Sequence, residues 1–324
     1  MLVLGLQGSP RRNGNTQFLL SAFLDAAARR GARTRLLSVP EADIRPCREF
    51  GVCEKRGTCP IRDDLAREGY GLIREAEVVV LASPVFFYGM TAQIKALVDR
   101  CQVFWARKYR LRLADPRQAT RRGFVLSVGA TRGKNLFEGL LLSARYFLDA
   151  IDAPLAGSLL YRGIEGPGDL ARHPAVRGEV EAAVEELLAP LRRRRRLLFI
   201  ARQDDGAGPM AAALAGRRAA AAWEVHSAGL EPAANLRPGV AEAMAEQGID
   251  IGFQRPRVLE EALAEGPPDV VVALDAQAAA AAARLEKVRH EAWEVPAPEA
   301  EPPERLRDAL VPHVENFLGR ETGE

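Results

Sequence analysis

The opening residues constrain the fold of this chain more than any other stretch. Leu2-Val3-Leu4-Gly5-Leu6-Gln7 is an apolar run with the length of a strand buried on both faces. It passes into Gly8-Ser9-Pro10-Arg11-Arg12-Asn13-Gly14-Asn15-Thr16, a turn-rich segment. From Asn15 to Arg30, Phe18, Leu19, Ala22, Phe23, Ala26 and Ala27 then recur at helical spacing. A buried strand followed at once by an amphipathic helix points to a parallel crossover unit. The alternation continues, with strands expected at 33–39, 78–82, 124–128 and 155–161 and helices at 91–104, 136–149 and 179–191. After Leu191 the tract Arg192 to Arg196 interrupts the apolar pattern, and a second series begins. Strands are expected there at 197–200, 223–227 and 270–274, with a helix opened by Pro209, one at 240–247 and a last one at 304–318; residues 296–303 read as loop. The fold class is α/β, with two doubly wound parallel-sheet domains at 1–193 and 194–324. A length of 324 residues suits that division, because single cores stop growing short of it. The five arginines read as a solvated helix end and linker, a placement that the helix dipole favours.

The formal net charge of +2 gives no overall electrostatic case for nucleic acid or an anionic membrane as partner. No stretch has the 18 or more apolar residues of a membrane span, and the chain opens on a strand rather than a basic segment leading into an apolar one. A soluble cytoplasmic protein is expected.

The segment Gly8 to Thr16 brings small hydroxyl and amide side chains to a helix start. Free backbone N–H groups and the positive end of the dipole point there, and Ser9, Asn15 and Thr16 can donate hydrogen bonds to a phosphate. An ordinary strand-to-helix turn with Asn15 as N-cap fits the segment equally well. Two further loops break the tie. Ser83-Pro84-Val85-Phe86-Phe87-Tyr88-Gly89-Met90 follows the third strand, and Gly129-Ala130-Thr131-Arg132-Gly133 follows the fourth. All three loops fall at the carboxyl edge of the sheet, where open α/β folds bind ligands. Pro84, Val85, Phe86, Phe87, Tyr88 and Gly89 can wall a flat ring system, although one of the two phenylalanines is expected in the core.

At these residues the sequence resembles the flavodoxin-like NAD(P)H-dependent FMN reductases, including the iron–sulfur flavoproteins. The resemblance covers residues 1 to 190. It rests on Gly8 to Thr16, on Ser83-Pro84-Val85-Phe86 with Met90-Thr91 and Lys95, on Asp99-Arg100, and on Trp105 to Tyr109 and Gly129 to Gly133. It implies non-covalent FMN, with its phosphate at Ser9, Arg11, Asn15 and Thr16 and its ring against Pro84 to Gly89 and Gly129, Ala130 and Thr131. It also implies a homodimer, NADPH or NADH as co-substrate, and a quinone, nitro compound, free flavin or protein as electron acceptor. The cofactor carries such hydride chemistry, so no catalytic side chain is assigned. A flavin-binding electron carrier or redox sensor without steady-state turnover is the alternative, and a scaffold without flavin is a third.

The four cysteines are Cys47, Cys53, Cys59 and Cys101, the first three in one irregular loop. Iron–sulfur members of the resembled family carry four closely spaced cysteines after the second strand, and a cubane cluster usually takes four thiolates. Here Phe50 stands where the second would fall, and Cys101 lies at a helical position. The expectation is a protein without iron and without metal ligands in this loop; an atypical cluster that takes a ligand from outside it, and zinc or another ion, are the alternatives.

Residues 195 to 324 resemble the low-molecular-weight tyrosine phosphatases and the arsenate reductases of the same fold. Leu197 to Ile200, Gly208-Pro209-Met210-Ala211, Ser227-Ala228-Gly229, Gly248 to Ile251, Arg255-Pro256 and Trp293 to Pro298 carry the likeness. That chemistry needs a thiolate nucleophile, an arginine and an acid. The resemblance places these roles on Ala201, Ala207 and Ala297. Asp204 and Asp205 add negative charge where a phosphate would sit, and no thiol follows Cys101. The expectation is a phosphatase-like domain without phosphatase or arsenate reductase activity.

Overall fold

Runs such as Val78-Val79-Val80-Leu81 have no polar face to turn to water, so their strands need cover on both sides. Helices supply it. The computed structural model describes residues 1–296 and 301–322. They form two compact units, Met1–Arg112 with Arg121–Arg192, and Leu113–Thr120 with Arg193–Glu324. Among the described residues no helix is long and apolar enough to cross a membrane.

In chain order the first unit contains β1 (Leu2–Gln7), α1 (Asn15–Arg29), β2 (Arg33–Ser38), α2 (Val52–Arg56), α3 (Tyr70–Glu75), β3 (Val78–Pro84), α4 (Ala92–Arg100) and α5 (Gln102–Trp105). There follow β4 (Arg122–Gly129), α6 (Glu138–Ala150), β5 (Leu155–Arg162), α7 (Asp169–Arg172) and α8 (Val176–Arg192). Its five strands are all parallel, in the order β2-β1-β3-β4-β5. The order reverses direction between β1 and β3, which opens a crevice at their carboxyl ends. On one face α1 and α8 bury a core in which the Phe23 and Phe124 rings lie 5.1 Å apart. The single helix expected at 91–104 is two helices. The Cys101 amide donates to both Leu97 and Val98 carbonyls, its ψ of 4° departs from helical geometry, and α5 restarts beyond it.

The second unit contains β6 (Arg195–Ala201), α9 (Ala207–Ala219), β7 (Trp223–Gly229), α10 (Val240–Ala245), α11 (Leu259–Ala264), β8 (Val270–Ala273), α12 (Ala276–Ala282), β9 (Arg289–Ala292) and α13 (Pro303–Thr322). Its four strands are parallel, in the order β7-β6-β8-β9. Both sheets therefore have the expected architecture. The arginine tract is a solvated helix end only in its first part. Arg192 closes α8 and is exposed with Arg193, whereas Arg194 is buried and Arg195 and Arg196 open β6. The Arg195 guanidinium lies 4.1 Å over the Trp223 ring and pairs with Glu321 at 2.5 Å, while the Arg196 amide donates to Asp269 at 2.7 Å. A planar cation on an aromatic face keeps its charge partly wet and still packs, so such a run is compatible with a strand start.

Leu113–Thr120 enters the second unit from the middle of the first half of the chain. Ala114 forms a parallel bridge with Ile249 through two backbone bonds, Ala114 N to Gly248 O at 3.0 Å and Asp250 N to Ala114 O at 2.8 Å. Leu113 and Asp115 are buried, and the Asp115 carboxylate accepts from the Arg117 amide at 2.7 Å.

Candidate functional site in the first unit and the pocket of the second

The loops after β1, β3 and β4 lie at one edge of the first sheet, and small side chains tie them together. The Thr91 hydroxyl caps α4 by accepting from the Ile94 amide and donates to the Gly8 carbonyl at 2.6 Å. Ser83 Oγ accepts from the Thr91 amide at 3.2 Å, and Ser127 Oγ donates to the Ser83 carbonyl at 2.7 Å. Gly8 is needed for this approach, because a Cβ there would lie 2.7 Å from Ile94 Cβ. Ser127 carried no motif signal in the sequence, yet it completes the chain of bonds.

In the first loop Ser9 is buried. Its amide donates to the Gln7 side chain, and its hydroxyl accepts from the Arg11 amide at 3.2 Å. Thr16 is buried in the first turn of α1, and Arg11 is exposed. The N-cap of α1 is Gly14, not Asn15. The Asn15 side chain is committed elsewhere, donating to Gly166 O at 2.9 Å and accepting from Leu170 N at 3.2 Å, so it braces the loop after β5. Its backbone N–H, with those of Gly14 and Thr16, has no protein partner among the described residues at the helix start.

In the second loop the Val85 amide donates to Val128 O at 2.9 Å, which fixes the loop against β4. Phe86 and Gly89 exchange two backbone bonds of 2.9 Å and close a tight turn over Phe87 and Tyr88. Neither phenylalanine belongs to the core, contrary to the expectation for one of them. Phe86 is 48% exposed, and Phe87 at 105% is wholly in solvent. A two-residue turn projects its central side chains outward, and their apolar character gives no hint of this. Pro84, Val85 and Gly89 are half-buried beside Tyr88. In the third loop Gly129 is buried and accepts from the Ile164 amide at 3.0 Å, while Ala130 and Thr131 are exposed. The edge therefore combines free helix-start amides with an exposed apolar wall, a setting for a phosphorylated, partly flat ligand.

Cys47, Cys53 and Cys59 share a loop whose ends are clamped together. The Arg100 guanidinium bonds Asp63 at 2.5 Å and the Arg45 carbonyl at 2.8 Å, and Asp63 accepts from the amides of Arg45 and Ala66, each at 3.1 Å. Burial works to raise the Asp63 carboxyl, but the Arg100 bond and the two amides outweigh it and hold it below the usual carboxylate range. Burial raises the Cys53 thiol, and the neighbouring Cys59 and Cys47 add to the rise. Phe50 is exposed, with the Arg48 guanidinium 5.3 Å from its ring centre. Cys101 is buried, and burial pushes its thiol far up. Among the described residues no group of three or more His, Cys, Asp or Glu side chains is placed to hold a metal ion.

In the second unit a cavity of about 380 Å³ is lined by the loop Ala201 to Ala207, by Leu274 to Gln277 and by Val295. Ala201 and Ala207, at the positions expected for nucleophile and arginine, are buried methyl groups. Ala297 lies outside the described residues. Asp204 does not confront the cavity as a full charge. It is buried, its Oδ2 accepts from the Arg257 amide at 3.1 Å, and burial pushes its carboxyl up to about 7. Asp275 accepts from the amides of Arg202 at 2.6 Å and Ala278 at 2.8 Å, bracing the same loop from α12.

Residues 1–158 match the model of the family described as NADPH-dependent FMN reductase, and residues 196–300 match that of low molecular weight phosphotyrosine protein phosphatase. An iron–sulfur flavoprotein of Methanocaldococcus jannaschii is 41% identical over 100 residues, 31% of this chain and 51% of that protein. One of Methanosarcina thermophila is 32% identical over 132 residues, 41% of this chain and 65% of that protein. The chain spans about half the length of the first two curated relatives it matches, 51% and 54%. Among solved structures it is similar to the NAD(P)H:quinone oxidoreductase from Methanothermobacter marburgensis, with a TM-score of 0.45, 18% identity and coverage of 58% of this chain and 96% of that one. It is also similar to a thioredoxin-dependent arsenate reductase of Corynebacterium glutamicum, with a TM-score of 0.36, 19% identity and coverage of 47% and 78%. One polypeptide thus carries, one after the other, a stretch that matches the model of the NADPH-dependent FMN reductases and a stretch that matches that of the low molecular weight phosphotyrosine protein phosphatases.

Proposed function

We propose that the first unit is an FMN-dependent oxidoreductase that takes reducing equivalents from NADPH or NADH and passes them to a quinone, a nitro compound, a flavin or a protein acceptor. The observation that carries this reading is the meeting of unpaired amides at the α1 start with the exposed Phe86–Gly89 turn, linked through Gly8, Thr91, Ser83 and Ser127. The residues fit the cofactor. Ser9, Arg11, Thr16 and the amides of Gly14 to Thr16 would hold the phosphate. Pro84 to Gly89 and Gly129 to Thr131 would wall the ring. When bound, the flavin supplies hydride acceptance at its ring system. The chain's own part is to bind, to orient and to shed water from one face of the site, and it needs no acid–base side chain. The exposed Leu142 and Tyr146, four residues apart on α6, give an apolar patch that supports a homodimer.

Several relatives carry an iron–sulfur group in their names. The loop here does not fit a cubane held by four thiolates. It offers Cys47, Cys53 and Cys59, with the exposed Phe50 between the first two and Cys101 sealed in the core. No step of this proposal runs through a cluster. In the second unit, alanine at 201 and 207 removes the thiolate and the cation that phosphoryl transfer requires, which supports a binding role without hydrolysis.

The test is the visible spectrum of purified protein before and after anaerobic NADPH or NADH. Two flavin bands that bleach are expected. A protein that stays colourless and takes up no added FMN refutes the reading, and stoichiometric iron with sulfide after anaerobic purification refutes the cluster-free loop.

A further inference from the structure

Phe87 and Tyr88 are consecutive residues in the left-handed backbone region, at φ 48° and 61°, where side chains other than those of Asn and Asp rarely sit. The third loop holds Tyr88 there. A Cβ on Gly139 would lie 2.6 Å from the Tyr88 carbonyl oxygen, space that only glycine leaves, and one on Gly133 would lie 2.7 Å from the Tyr88 hydroxyl oxygen and make that ring shift. Arg162, at the end of β5, then fastens the same loop. Its guanidinium donates to the carbonyls of Gly133 and, at 3.1 Å, Lys134, and lies 5.5 Å from the centre of the Phe137 ring. The Arg132 guanidinium lies 3.2 Å from where a Cβ on Gly163 would stand, next to Arg162 in the chain.

Arg132, Lys134 and Arg162 are thus exposed cations gathered on one rim beside Tyr88. Among the described residues none of the three forms an ion pair with a carboxylate, whereas Lys95 and Arg172 on neighbouring segments each do. Like charges held together without a counter-ion repel, and an anion placed between them relieves the repulsion. The rim adjoins the aromatic turn on which a hydride donor would dock, so the anion it meets belongs to that donor. NADPH differs from NADH by a single phosphate on the adenosine 2′-oxygen.

We propose that Arg132 and Lys134 bind the 2′-phosphate of NADPH and are the specificity-determining residues for that nucleotide over NADH, with Arg162 and Tyr88 positioning their loop. This inference rests on the reductase reading above.

Calorimetric titration of the full chain with 2′,5′-ADP and with 5′-AMP isolates the phosphate, since the two ligands differ in nothing else. A preference of about 10- to 100-fold for 2′,5′-ADP is expected, the scale of one or two charge-assisted bonds. It should shrink below about pH 6 as the phosphate takes up its second proton. The exposed double variant Arg132→Gln/Lys134→Gln should lose the preference while keeping the parent's melting temperature, and Arg132→Lys should keep part of it. Equal affinities in the parent, or an undiminished preference in the double variant, overturn the proposal. The parent reading is tested separately, by bleaching of the bound flavin. Bleaching by both nucleotides with equal 2′,5′-ADP and 5′-AMP affinities sinks the specificity proposal alone. No bleaching by either nucleotide sinks the reductase reading and the proposal's ligand with it.

Discussion

Phe87 combines a strained backbone with a side chain that touches almost nothing, so its conformational cost is separable from its packing. A left-handed residue with a Cβ costs about 1–2 kcal/mol, and Asn relieves part of that through its short polar side chain. Phe87→Asn should therefore raise the stability of the flavin-free protein by about 0.5–1 kcal/mol in urea unfolding, while weakening FMN binding by removing an aromatic wall. A variant that is less stable than its parent would show that Phe87 packs in a way its 105% exposure denies. Asp204 is the opposite case, a buried group whose charge state carries the cost. Its ordinary value is 3.8 and burial lifts it to about 7, so folding takes up a proton between those limits. The stability it contributes is full below about pH 4 and is lost as the pH rises through about 7. Asp204→Asn keeps an acceptor for the Arg257 amide and cannot ionise. It should gain stability on its parent as pH rises from 4 to 8, and parallel stability curves for the two proteins would refute the assignment.

The loop carrying Cys47, Cys53 and Cys59 shows how an element without regular structure is still fixed by its ends. Arg100 and Asp63 are both buried there, and Tyr70 donates to the Arg100 carbonyl at 3.1 Å. Removing one partner leaves an uncompensated charge, so Asp63→Ala should cost about 3–5 kcal/mol, whereas Asp63→Leu with Arg100→Met should cost much less. In Asp63→Ala the three loop thiols should also react faster with a disulfide reagent while Cys101 stays protected; unchanged rates would mean that the clamp does not order the loop. The pair Asp99-Arg100 was visible in the sequence as a family feature, but its purpose was not. The partner of Arg100 is a carboxylate 37 residues away, and no local period reports such a contact. Elements with strong local signals were legible: β1, α1 and β3 follow from an unbroken apolar run or a helical repeat. Several short elements went unread, β9 and α12 among them. β9 is four residues with three half-exposed or exposed polar side chains, and α12 is an alanine run whose start is set by the Asp275 cap. At the site, the loops and their aromatic turn could be read from order along the chain. The diversion of Asn15 to Gly166 and Leu170 could not, because its side chain satisfies the demands of a phosphate ligand and of a loop brace alike.

At the scale of the whole molecule, the division of labour does not follow the order of the sequence. A cut after Arg193 looks natural from the strand pattern, yet the second unit draws on Leu113–Thr120 from before β4. A single parallel bridge has no hydrophobic period, which is why the arm passes unnoticed in a sequence. Its contribution can be bounded. Two backbone bonds contribute about 0.5–1.5 kcal/mol each, and burying Leu113 about 1.5–3 kcal/mol. Their sum is a large fraction of the 5–15 kcal/mol that stabilises a typical domain. A fragment of residues 193–324 should therefore be destabilised by about 3 kcal/mol and expose the edge at Gly248 to Asp250 where Ala114 bonds. Adding a synthetic peptide of residues 111–122 at concentrations above its dissociation constant should restore stability by mass action. The measurement is thermal or urea unfolding followed by the fluorescence of Trp223 and Trp293, the two tryptophans in that fragment. An Ala114→Pro peptide is the control, since proline has no N–H to give Gly248 and should rescue less. If the fragment unfolds at the same point with no peptide, with the native peptide and with the proline peptide, the arm is passive. The second unit would then be complete without it, and residues 193–324 could be assayed for ligand binding on their own. If only the native peptide rescues, every truncation that separates the family segments at residue 192 removes part of the second unit, and loss of function in such a fragment says nothing about its pocket.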